Sequence, residues 1–263
     1  MKAEDAESSG RTGGTGLIER LEALRSVAAA QGLEAVRSAA GPLLEALRFP
    51  AYIFAIEAIE QGRVRSLVLV CGGHFAGKEA RVEERWYGAL DALTQRFYEQ
   101  DHPFSLREMV ATMPVTRSAR GCLAMLEHVG ATDCGHVPIA VEGTPYRARF
   151  SVSSAEEEPE EGFRRRFREQ VPFLRLLGLV FLQPALPLAL EREHGSLTAS
   201  EREVLSSAAR GMRNREIARH LGKSEHTVRN QLDAARARLG ARTLAEAVGL
   251  AVRYGLIRPG SAD

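Results

Sequence analysis

Apolar residues recur every three or four positions over much of the chain, which is the spacing of amphipathic helices. The series from Leu17 to Ala28 follows this spacing, and Gly41-Pro42 starts a second helical stretch that ends near residue 48. Further helices are predicted over 79–100, 118–129, 160–170 and 173–182. The pattern therefore indicates a helix-rich first part of the chain.

Short apolar runs between these helices predict β-strands. The runs lie at 52–56, 66–70, 137–141 and 147–153, and turns near Gln61-Gly62 and over 142–145 join them in pairs. Two hairpins with helices around them predict an α/β/α sandwich with a largely antiparallel central sheet. This α+β domain is expected to span residues 17–183.

The longest apolar stretch, 171–190, contains Arg175 and is broken by Pro172, Pro184 and Pro187. An arginine inside a membrane span costs about 2.5–3.5 kcal/mol or more, and a span needs about 20 consecutive apolar residues. We therefore expect a core helix that runs into a proline-bounded linker over 184–196, and no membrane contact.

Residues that cap helix ends mark the limits of four helices in the last part of the chain, 197–263. The first helix is expected to start at Thr198, with Glu201 completing a capping box, and to end at Gly211. The second is expected to run from Asn214 to Gly222 and the third from Ser224 to Gly240. The fourth should start at Thr243, with Glu246 as its capping-box partner, and end at Gly255. The second and third helices are separated by a tight turn at Gly222-Lys223, which predicts a helix-turn-helix in an all-α domain.

The third of these helices has one apolar face and one polar face. Its apolar stripe has the 4-3-4 spacing of a buried face and consists of Val228, Leu232, Ala235 and Leu239. On the opposite side lie His226, Arg229, Asn230 and Asp233. Arginine can pair with guanine and asparagine with adenine, so this face is suited to reading the major groove. Phosphate contacts are predicted for Thr227, Lys223, Arg215 and Arg236.

Charge is unevenly distributed along the chain, although the formal net charge is only +1. Residues 197–263 contain 12 Arg and Lys against 7 Asp and Glu, a balance of +5. A basic terminal domain on an acidic remainder is the electrostatic pattern of a nucleic-acid-binding protein. The first residues, 1–16, are acidic and then rich in Ser, Gly and Thr, which predicts a disordered tail rather than a signal peptide.

The terminal domain resembles the DNA-binding domain of LuxR-type regulators. The resemblance rests on the run 197–205 together with Gly211, 216–218, Leu221, Ser224, 227–228, 239–240 and 255–257. It implies that Arg229 occupies a base-contacting position and that the fourth helix pairs two subunits. An apolar stripe for that pairing is offered by Leu244, Val248, Ala251 and Val252.

Residues 17–185 resemble the autoinducer-binding domain of quorum-sensing LuxR-type regulators. The residues that carry this likeness are Asp101-His102-Pro103, Gly135, Pro138-Ile139 and Trp86. It implies an acyl-homoserine lactone or another small apolar ligand, with Asp101 accepting a hydrogen bond from a ligand amide. The expected pocket residues are Asp101, Trp86, Tyr52, Tyr87, Tyr98 and Gly135. Since the chain has one tryptophan, a different ligand or none remains an alternative.

A rival interpretation comes from Gly72–Lys78, which satisfies the GxxxxGK pattern of a phosphate-binding loop after a strand. Glu79 stands where a Ser or Thr hydroxyl should meet Mg²⁺, so a glycine-rich turn is the simpler explanation. Three cysteines without a CxxC pair, and histidines without ligand spacing, favour reduced thiols and no metal. The sequence predicts no enzyme and no cofactor.

The sequence thus predicts a cytoplasmic bacterial transcription regulator that binds promoter DNA as a homodimer and senses a small apolar molecule. RNA polymerase is a further candidate partner. Two alternatives remain open. One is a ligand-independent regulator whose first domain only dimerises or binds a protein, and the other is a nucleotide-hydrolysing switch built on Gly72–Lys78.

Overall fold

The computed structural model describes residues 19–60, 63–86, 88–89, 92–114, 116–141, 144 and 146–257. The chain divides into two compact units. The first comprises Met1–Phe54, Leu69–Ile139 and Arg149–Phe181, and the second comprises Ala55–Val68, Ala140–Ala148 and Leu182–Asp263. The predicted domain ranges of 17–183 and 197–263, with a tail over 1–16, remain predictions.

Helices and strands alternate irregularly in the first three quarters of the chain. A helical stretch over 19–29 (α1) is followed by α2 (Leu33–Ala46), β1 (Ala51–Glu60), β2 (Arg63–Gly73), α3 (Glu79–Trp86), β3 (Gly88–Ala89), α4 (Ala92–Glu99), β4 (Phe104–Ser105), α5 (Leu106–Ala111), α6 (Arg117–His128), β5 (Cys134–Ile139), β6 (Arg147–Ser153) and α7 (Glu160–His194). The strands form one sheet in the order β3-β2-β1-β6-β5-β4. Phe104 of β4 lies opposite His136 of the antiparallel β5.

The sheet of the first unit is covered by helices on both faces. Neighbouring residues of a strand point to opposite sides of the sheet, so each strand packs against both layers. On one face Tyr52 and Phe150 stack with ring centroids 5.8 Å apart, and Phe181 of α7 lies 5.4 Å from Phe150. On the other face Ile53 and Arg149 lie against residues of α3, α5 and α6. The predicted α+β class, with a largely antiparallel sheet between helices, is confirmed.

Helix α7 differs most from the sequence-based expectation. We expected a proline-bounded linker over 184–196, but the helix continues to His194 through all three prolines of its sequence. An interior proline costs about 3 kcal/mol or more, whereas a fully buried Leu or Phe stabilises by about 1.5–3 kcal/mol. Ten apolar side chains of α7 are buried: Phe163, Phe167, Leu174, Leu177, Phe181, Leu182, Ala185, Leu186, Ala189 and Leu190. Tertiary packing therefore outweighs the local preference of proline.

Three smaller differences concern the helices and strands that precede α7. Helix α2 passes through Gly41-Pro42, where a new helix was expected to start. The helix expected over 79–100 is divided into α3 and α4 by the short strand β3. Strand β4 and helix α5 were not predicted, because a two-residue strand carries no periodicity in the sequence.

Among the described residues, one helix, Glu160–Glu193, is long and apolar enough by length and composition to cross a membrane. Half of its most apolar window is buried inside the protein. A core helix of a soluble protein meets the same two criteria, so the finding does not require a membrane span.

Within residues 195–257 four helices follow α7, at the positions that the capping residues predict. They are α8 (Ala199–Ala209), α9 (Asn214–His220), α10 (Glu225–Arg238) and α11 (Leu244–Arg253). Two caps differ in detail. Arg213 rather than Asn214 is the N-cap residue of α9, and Glu216 accepts a hydrogen bond from the Arg213 N–H at 2.8 Å. In α11, Glu246 accepts from the N–H of Arg242 instead of that of Thr243.

Candidate nucleic-acid interface and ligand cavity

Helix α10 is fixed in the C-terminal domain by one apolar stripe. The four predicted stripe residues are all buried: Val228, Leu232, Ala235 and Leu239. Its N-terminus is capped by Ser224, whose Oγ accepts from the Thr227 N–H at 3.0 Å. Gly222 precedes this cap with a φ of 63°, which is a conformation that glycine adopts without a steric penalty. The turn between α9 and α10 is thereby set by local chemistry.

The opposite face of α10 is exposed and polar. It presents five of the predicted DNA-contacting residues: His226, Thr227, Arg229, Asn230 and Asp233. The Asn230 amide lies 3.2 Å from Nε2 of His226, one helical turn earlier. The structure therefore brings together the residues assigned to base reading.

A polar groove of about 230 Å³ lies beside this face. Its lining residues are Asn214, Arg229, Leu232, Asp233, Arg236, Arg242, Thr243 and Leu244. Three arginines against one aspartate make the groove electropositive, which suits a phosphate. Arg236 is held there because its guanidinium donates to the carbonyls of Ala241 and Arg242, both at 3.4 Å. Asp233 is 3.8 Å from the same guanidinium.

Sequence reasoning missed Arg242 and Asn214 as members of this groove. Arg242 lies in the turn between α10 and α11, and its side chain is 91% exposed. A sequence signal was present, since an arginine directly before the N-cap Thr243 is brought near α10 when the two helices pack together.

Besides Arg236, which lies near Asp233, two further predicted phosphate contacts have acidic neighbours. The Lys223 ammonium donates to Glu203 at 2.8 Å, and its side chain is only 19% exposed. Arg215 is 3.9 Å from Glu225 and remains largely exposed. An ion pair reduces the charge that Lys223 offers to a phosphate, so Arg215 and Arg236 are the better placed of the predicted contacts.

The start of α8 and the end of α10 are joined by one carboxylate. Glu201 accepts from the Thr198 N–H at 2.8 Å to complete a capping box, and Arg238 donates to it at 3.2 Å. Glu201 is almost fully buried. A buried, hydrogen-bonded charge of this kind fixes one helix relative to the other.

The expected pairing stripe on α11 is only partly exposed. Leu244 and Val252 are 37% and 39% exposed, and Val248 is half-buried. Ala251 is fully buried in the domain's own core, so its assignment to the stripe is corrected. Three residues of the predicted stripe remain available on the surface.

The predicted pocket residues of the first unit do not gather around one site. Tyr52 points to the α7 face of the sheet, where its hydroxyl donates to the Arg37 carbonyl at 2.8 Å. Gly135 faces the same side, because a Cβ atom there would lie 2.5 Å from the Phe167 ring. Both residues are placed by packing with helices and not by a cavity.

Asp101 is also away from any cavity, with its side chain 98% exposed. A hydrogen bond from His102 lowers the pKa of its carboxyl group. Tyr98 is half-buried against Phe97, with 5.5 Å between ring centroids. Trp86 ends α3, but its side chain and the whole of Tyr87 lie outside the described part of the chain. The expected aspartate anchor is therefore not assembled in this structure.

A cavity does lie on the sheet face opposite α7. Its volume is about 20 Å³, enough for about one water molecule. The described residues that line it are Ile53, Phe75, Val82, Leu106, Cys122, Met125, Leu126, Cys134, His136 and Arg149. Sequence reasoning missed all ten, although a charged residue inside the apolar strand 147–153 was a usable signal.

Beside this cavity, β5 and β6 carry a small cluster of polar side chains. The guanidinium of Arg149 donates to Ser151 Oγ at 3.0 Å, and Nδ1 of His136 is 2.8 Å from the same oxygen. Arg149 also lies over the Phe97 ring at 5.3 Å. Burial, and secondly the nearby Arg149 charge, lower the pKa of His136 well below its usual value. The imidazole is consequently neutral at neutral pH.

This neutral histidine makes stability pH-dependent. Because the folded-state pKa lies below the unfolded value of about 6.5, the unfolded chain binds the extra proton as the pH falls. Between about pH 7.5 and 5.5 this group alone should remove about 1.4 kcal/mol of unfolding free energy. Urea titrations of the wild type and of His136→Gln should give pH profiles that diverge by that amount, since the other histidines are common to both. Parallel profiles would contradict the assignment.

Backbone hydrogen bonds occupy N–H groups of the Gly72–Lys78 turn. The His74 N–H donates to the Pro50 carbonyl at 3.0 Å, and the Lys78 N–H donates to the Phe75 carbonyl at 3.0 Å. Phe75 is buried and lines the cavity. Amide groups used in this way cannot cradle a phosphate, so the geometry favours the glycine-rich turn.

A second buried cluster positions helix α5 beside the cavity. Asp133 is fully buried and accepts from Ser105 Oγ at 2.5 Å and from the backbone N–H groups of Cys134 and Arg107 at 2.7 Å and 3.2 Å. Arg164 of α7 lies 3.5 Å from the same carboxylate. These contacts tie α5, which contributes Leu106 to the cavity, to β5 and α7.

Comparison with known proteins supports the two halves to different degrees. Residues 195–251 match the family described as bacterial regulatory proteins, luxR family. The transcriptional regulatory protein YdfI of Bacillus subtilis (strain 168) is 34% identical over 90 residues, which are 30% of this chain and 42% of that protein. The chain thus spans less than half the length of that relative.

A solved structure is similar over nearly the whole chain. The crystal structure of Escherichia coli SdiA aligns with a TM-score of 0.50 at 15% identity, covering 92% of this chain and 99% of the other. At this identity the likeness shows the fold. Residues 195–251 form a helix-turn-helix domain of the luxR family of bacterial regulatory proteins.

Proposed function

We propose that this chain is a cytoplasmic transcription regulator that binds promoter DNA as a homodimer and responds to a small ligand of its first domain. The observation that carries the proposal is the exposed face of α10 beside the arginine-lined groove. A buried stripe on one side and Arg229 and Asn230 on the other are the two requirements of a recognition helix.

Base reading and phosphate binding are assigned to different residues of this surface. With α10 in the major groove, Arg229 donates to a guanine and Asn230 pairs with an adenine. Arg236 and Arg242 hold the adjacent phosphates and fix the register of the helix. Asp233 accepts from a cytosine amino group or repels phosphate, so it narrows the set of operator sequences.

Dimerisation is assigned to the exposed residues of α11. Leu244, Val248 and Val252 form an apolar stripe that a second copy would cover. A symmetric pair would place two recognition helices about 34 Å apart on a pseudopalindromic operator. RNA polymerase is then a partner of the DNA-bound dimer if the regulator activates transcription.

Ligand sensing is assigned to the first domain. Its cavity lies between the sheet and the helices α3, α5 and α6, and its walls are apolar. A ligand that binds one arrangement of the dimer more tightly than another shifts the population towards it. The small cavity volume of about 20 Å³ also supports the second candidate, a ligand-independent regulator of the same family.

Selection from a random duplex pool, followed by titration of selected and scrambled duplexes, tests the DNA-binding proposal. Arg229→Ala should lose about 1–3 kcal/mol of discrimination at one base pair. Arg242→Ala should weaken binding to both duplexes equally. It should also reduce by about 1 the steepness with which log K falls with the logarithm of the salt concentration. The matched control is Arg168→Ala, because Arg168 is an exposed arginine of α7 in the first domain. This variant should bind both duplexes as the wild type does. A wild-type protein that enriches no sequence would refute the proposal.

A further inference from the structure

The end of α7 is held by strand β2 and is followed directly by a glycine in a left-handed conformation. Arg192 donates to a backbone carbonyl of β2 at 3.3 Å, and Glu193 forms an ion pair with Arg65 of the same strand. The N–H of Gly195 donates to the Glu191 carbonyl at 2.8 Å, and Gly195 has a φ of 79°. These residues all belong to the second compact unit, in which the last turns of α7 are thus fixed to β2.

The same glycine lies next to a side chain of α10. A Cβ atom at Gly195 would lie 3.0 Å from Nη1 of Arg238. Nε of Arg238 donates to Glu201 at 3.2 Å, and Glu201 accepts from the Thr198 N–H at 2.8 Å. The guanidinium of Arg238 therefore lies between the capping box of α8 and the end of α7.

We propose that Arg238 is a positioning residue for base reading, and that it makes the position of the recognition helix α10 depend on the end of α7 through Gly195. Arg238 acts in this way without contacting DNA. The inference rests on the proposed DNA-binding function and names a residue that regulates that site.

Helix geometry places Arg238 away from the base-reading face. It follows Arg229 by nine residues, which is about 180° around the helix axis. Its guanidinium is also paired with Glu201, which is almost fully buried. This ion pair reduces the charge that Arg238 offers to a phosphate.

A shift at Arg238 reaches the base-reading residues because α10 is one continuous helix. At about 1.5 Å per residue, Arg229 lies about 13.5 Å from Arg238 along the axis. A tilt of about 5° over this length moves Arg229 by about 1 Å. Hydrogen bonds to a base edge need donor–acceptor distances of about 2.7–3.2 Å. Such a tilt therefore weakens base reading, whereas contacts to phosphates, which carry no sequence information, are affected equally on every duplex.

Titration of the full chain with selected and scrambled duplexes at several salt concentrations tests the positioning role. Arg238→Ala should weaken binding to the selected duplex by about 10-fold, the size of one lost base contact. Its binding to the scrambled duplex and its salt dependence should stay as in the wild type. Arg238→Lys keeps the charge and a donor for Glu201, so it should recover part of the loss.

Glu201→Gln separates positioning from simple electrostatics. Removing a negative charge would by itself strengthen binding to both duplexes. We expect this variant instead to lose discrimination, as Arg238→Ala does. Equal weakening of both duplexes by Arg238→Ala, with a shallower salt dependence, would make Arg238 a phosphate contact and overturn the inference.

Two glycine variants test the link to α7. Gly195→Ala and Gly211→Ala place alanine at φ values of 79° and 83°, so the backbone strain is similar in both. A new Cβ atom meets Arg238 at position 195, but at position 211 it would meet no described atom within 4 Å beyond its chain neighbours. Gly195→Ala should lose about 3-fold in affinity for the selected duplex, a part of one base contact, and Gly211→Ala should bind as wild type.

The two positions should also act as a coupled pair. In the Arg238→Ala background, Gly195→Ala should cause no further loss of discrimination, since coupled residues are not additive. Additive losses, or equal binding by Gly195→Ala and Gly211→Ala, would overturn the link to α7.

Circular dichroism of each variant checks its folding, and the comparison of the two glycine variants still tests the inference if Arg238→Ala does not fold. A wild type that enriches no sequence overturns the proposed function and this inference together. A wild type that enriches a sequence, with unchanged discrimination in the folded variants, overturns the inference alone.

Discussion

Replacing Gly73 by alanine should lower the unfolding free energy by about 3–5 kcal/mol, the largest effect expected from a single methyl group in this chain. Gly73 ends β2 with a φ of 60°, and a Cβ atom there would lie 1.9 Å from the carbonyl oxygen of Pro50. A left-handed conformation costs a non-glycine residue about 1–2 kcal/mol. The overlap adds to this cost, because the obstructing atom belongs to the backbone and cannot rotate away.

Urea denaturation measures this effect, and Gly77→Ala is its matched control. Gly77 has a φ of 73° in the same turn, but a Cβ atom there would meet no described atom within 4 Å beyond its chain neighbours. The control should therefore lose only the conformational term of about 1–2 kcal/mol. Equal losses in both variants would contradict a steric role of Gly73. Neither substitution should change the response of the protein to ATP and Mg²⁺.

Replacing Asp133 by alanine should cost about 3–5 kcal/mol, since it leaves several buried hydrogen-bond donors without an acceptor. Its carboxylate accepts from the Ser105 hydroxyl and from two backbone N–H groups, and it lies 3.5 Å from Arg164, whose guanidinium also bonds Glu160 at 2.7 Å. Each donor left unsatisfied in the interior adds a desolvation penalty of about 1–3 kcal/mol. The N-terminus of α5 should also detach from β5.

Thermal and urea unfolding report the loss of stability, and hydrogen exchange of 105–111 reports the detachment of α5. The control is Glu161→Ala, which removes another carboxylate near Arg164. Glu161 is 78% exposed and 3.9 Å from the guanidinium, so its loss should cost no more than about 1 kcal/mol. Similar stability of Asp133→Ala and Glu161→Ala would show that burial of the Asp133 network contributes nothing.

The C-terminal domain was predictable because the residues that define its helices interact with residues only a few positions away in the sequence. Ser224 caps α10 through a hydrogen bond to a residue three positions away, and Gly222 sets the preceding turn. The spacing of Val228 and Leu232 alone specifies which side of α10 is buried. Arg242 was missed because its proximity to α10 depends on how two helices pack.

The first domain was less predictable because its decisive contacts are distant in sequence. Pro184 indicates the end of a helix, and only the burial of residues such as Phe181 and Leu186 shows why α7 continues. The family likeness at Asp101 predicted an anchor that the tertiary structure leaves in solvent. Arg149 and His136 become neighbours only when β6 pairs with β5.

The small volume of the cavity has a consequence for sensitivity and timing. If molecules with an expanded cavity form a fraction f of the population, the measured Kd is the intrinsic Kd divided by f, so opening in about 1% of molecules weakens binding about 100-fold. At high ligand concentration the observed association rate then reaches a plateau at the opening rate of the domain. A substitution that trims Met125 or Leu126 would raise f, and the regulator would respond to less signal without any change in its contacts to the ligand.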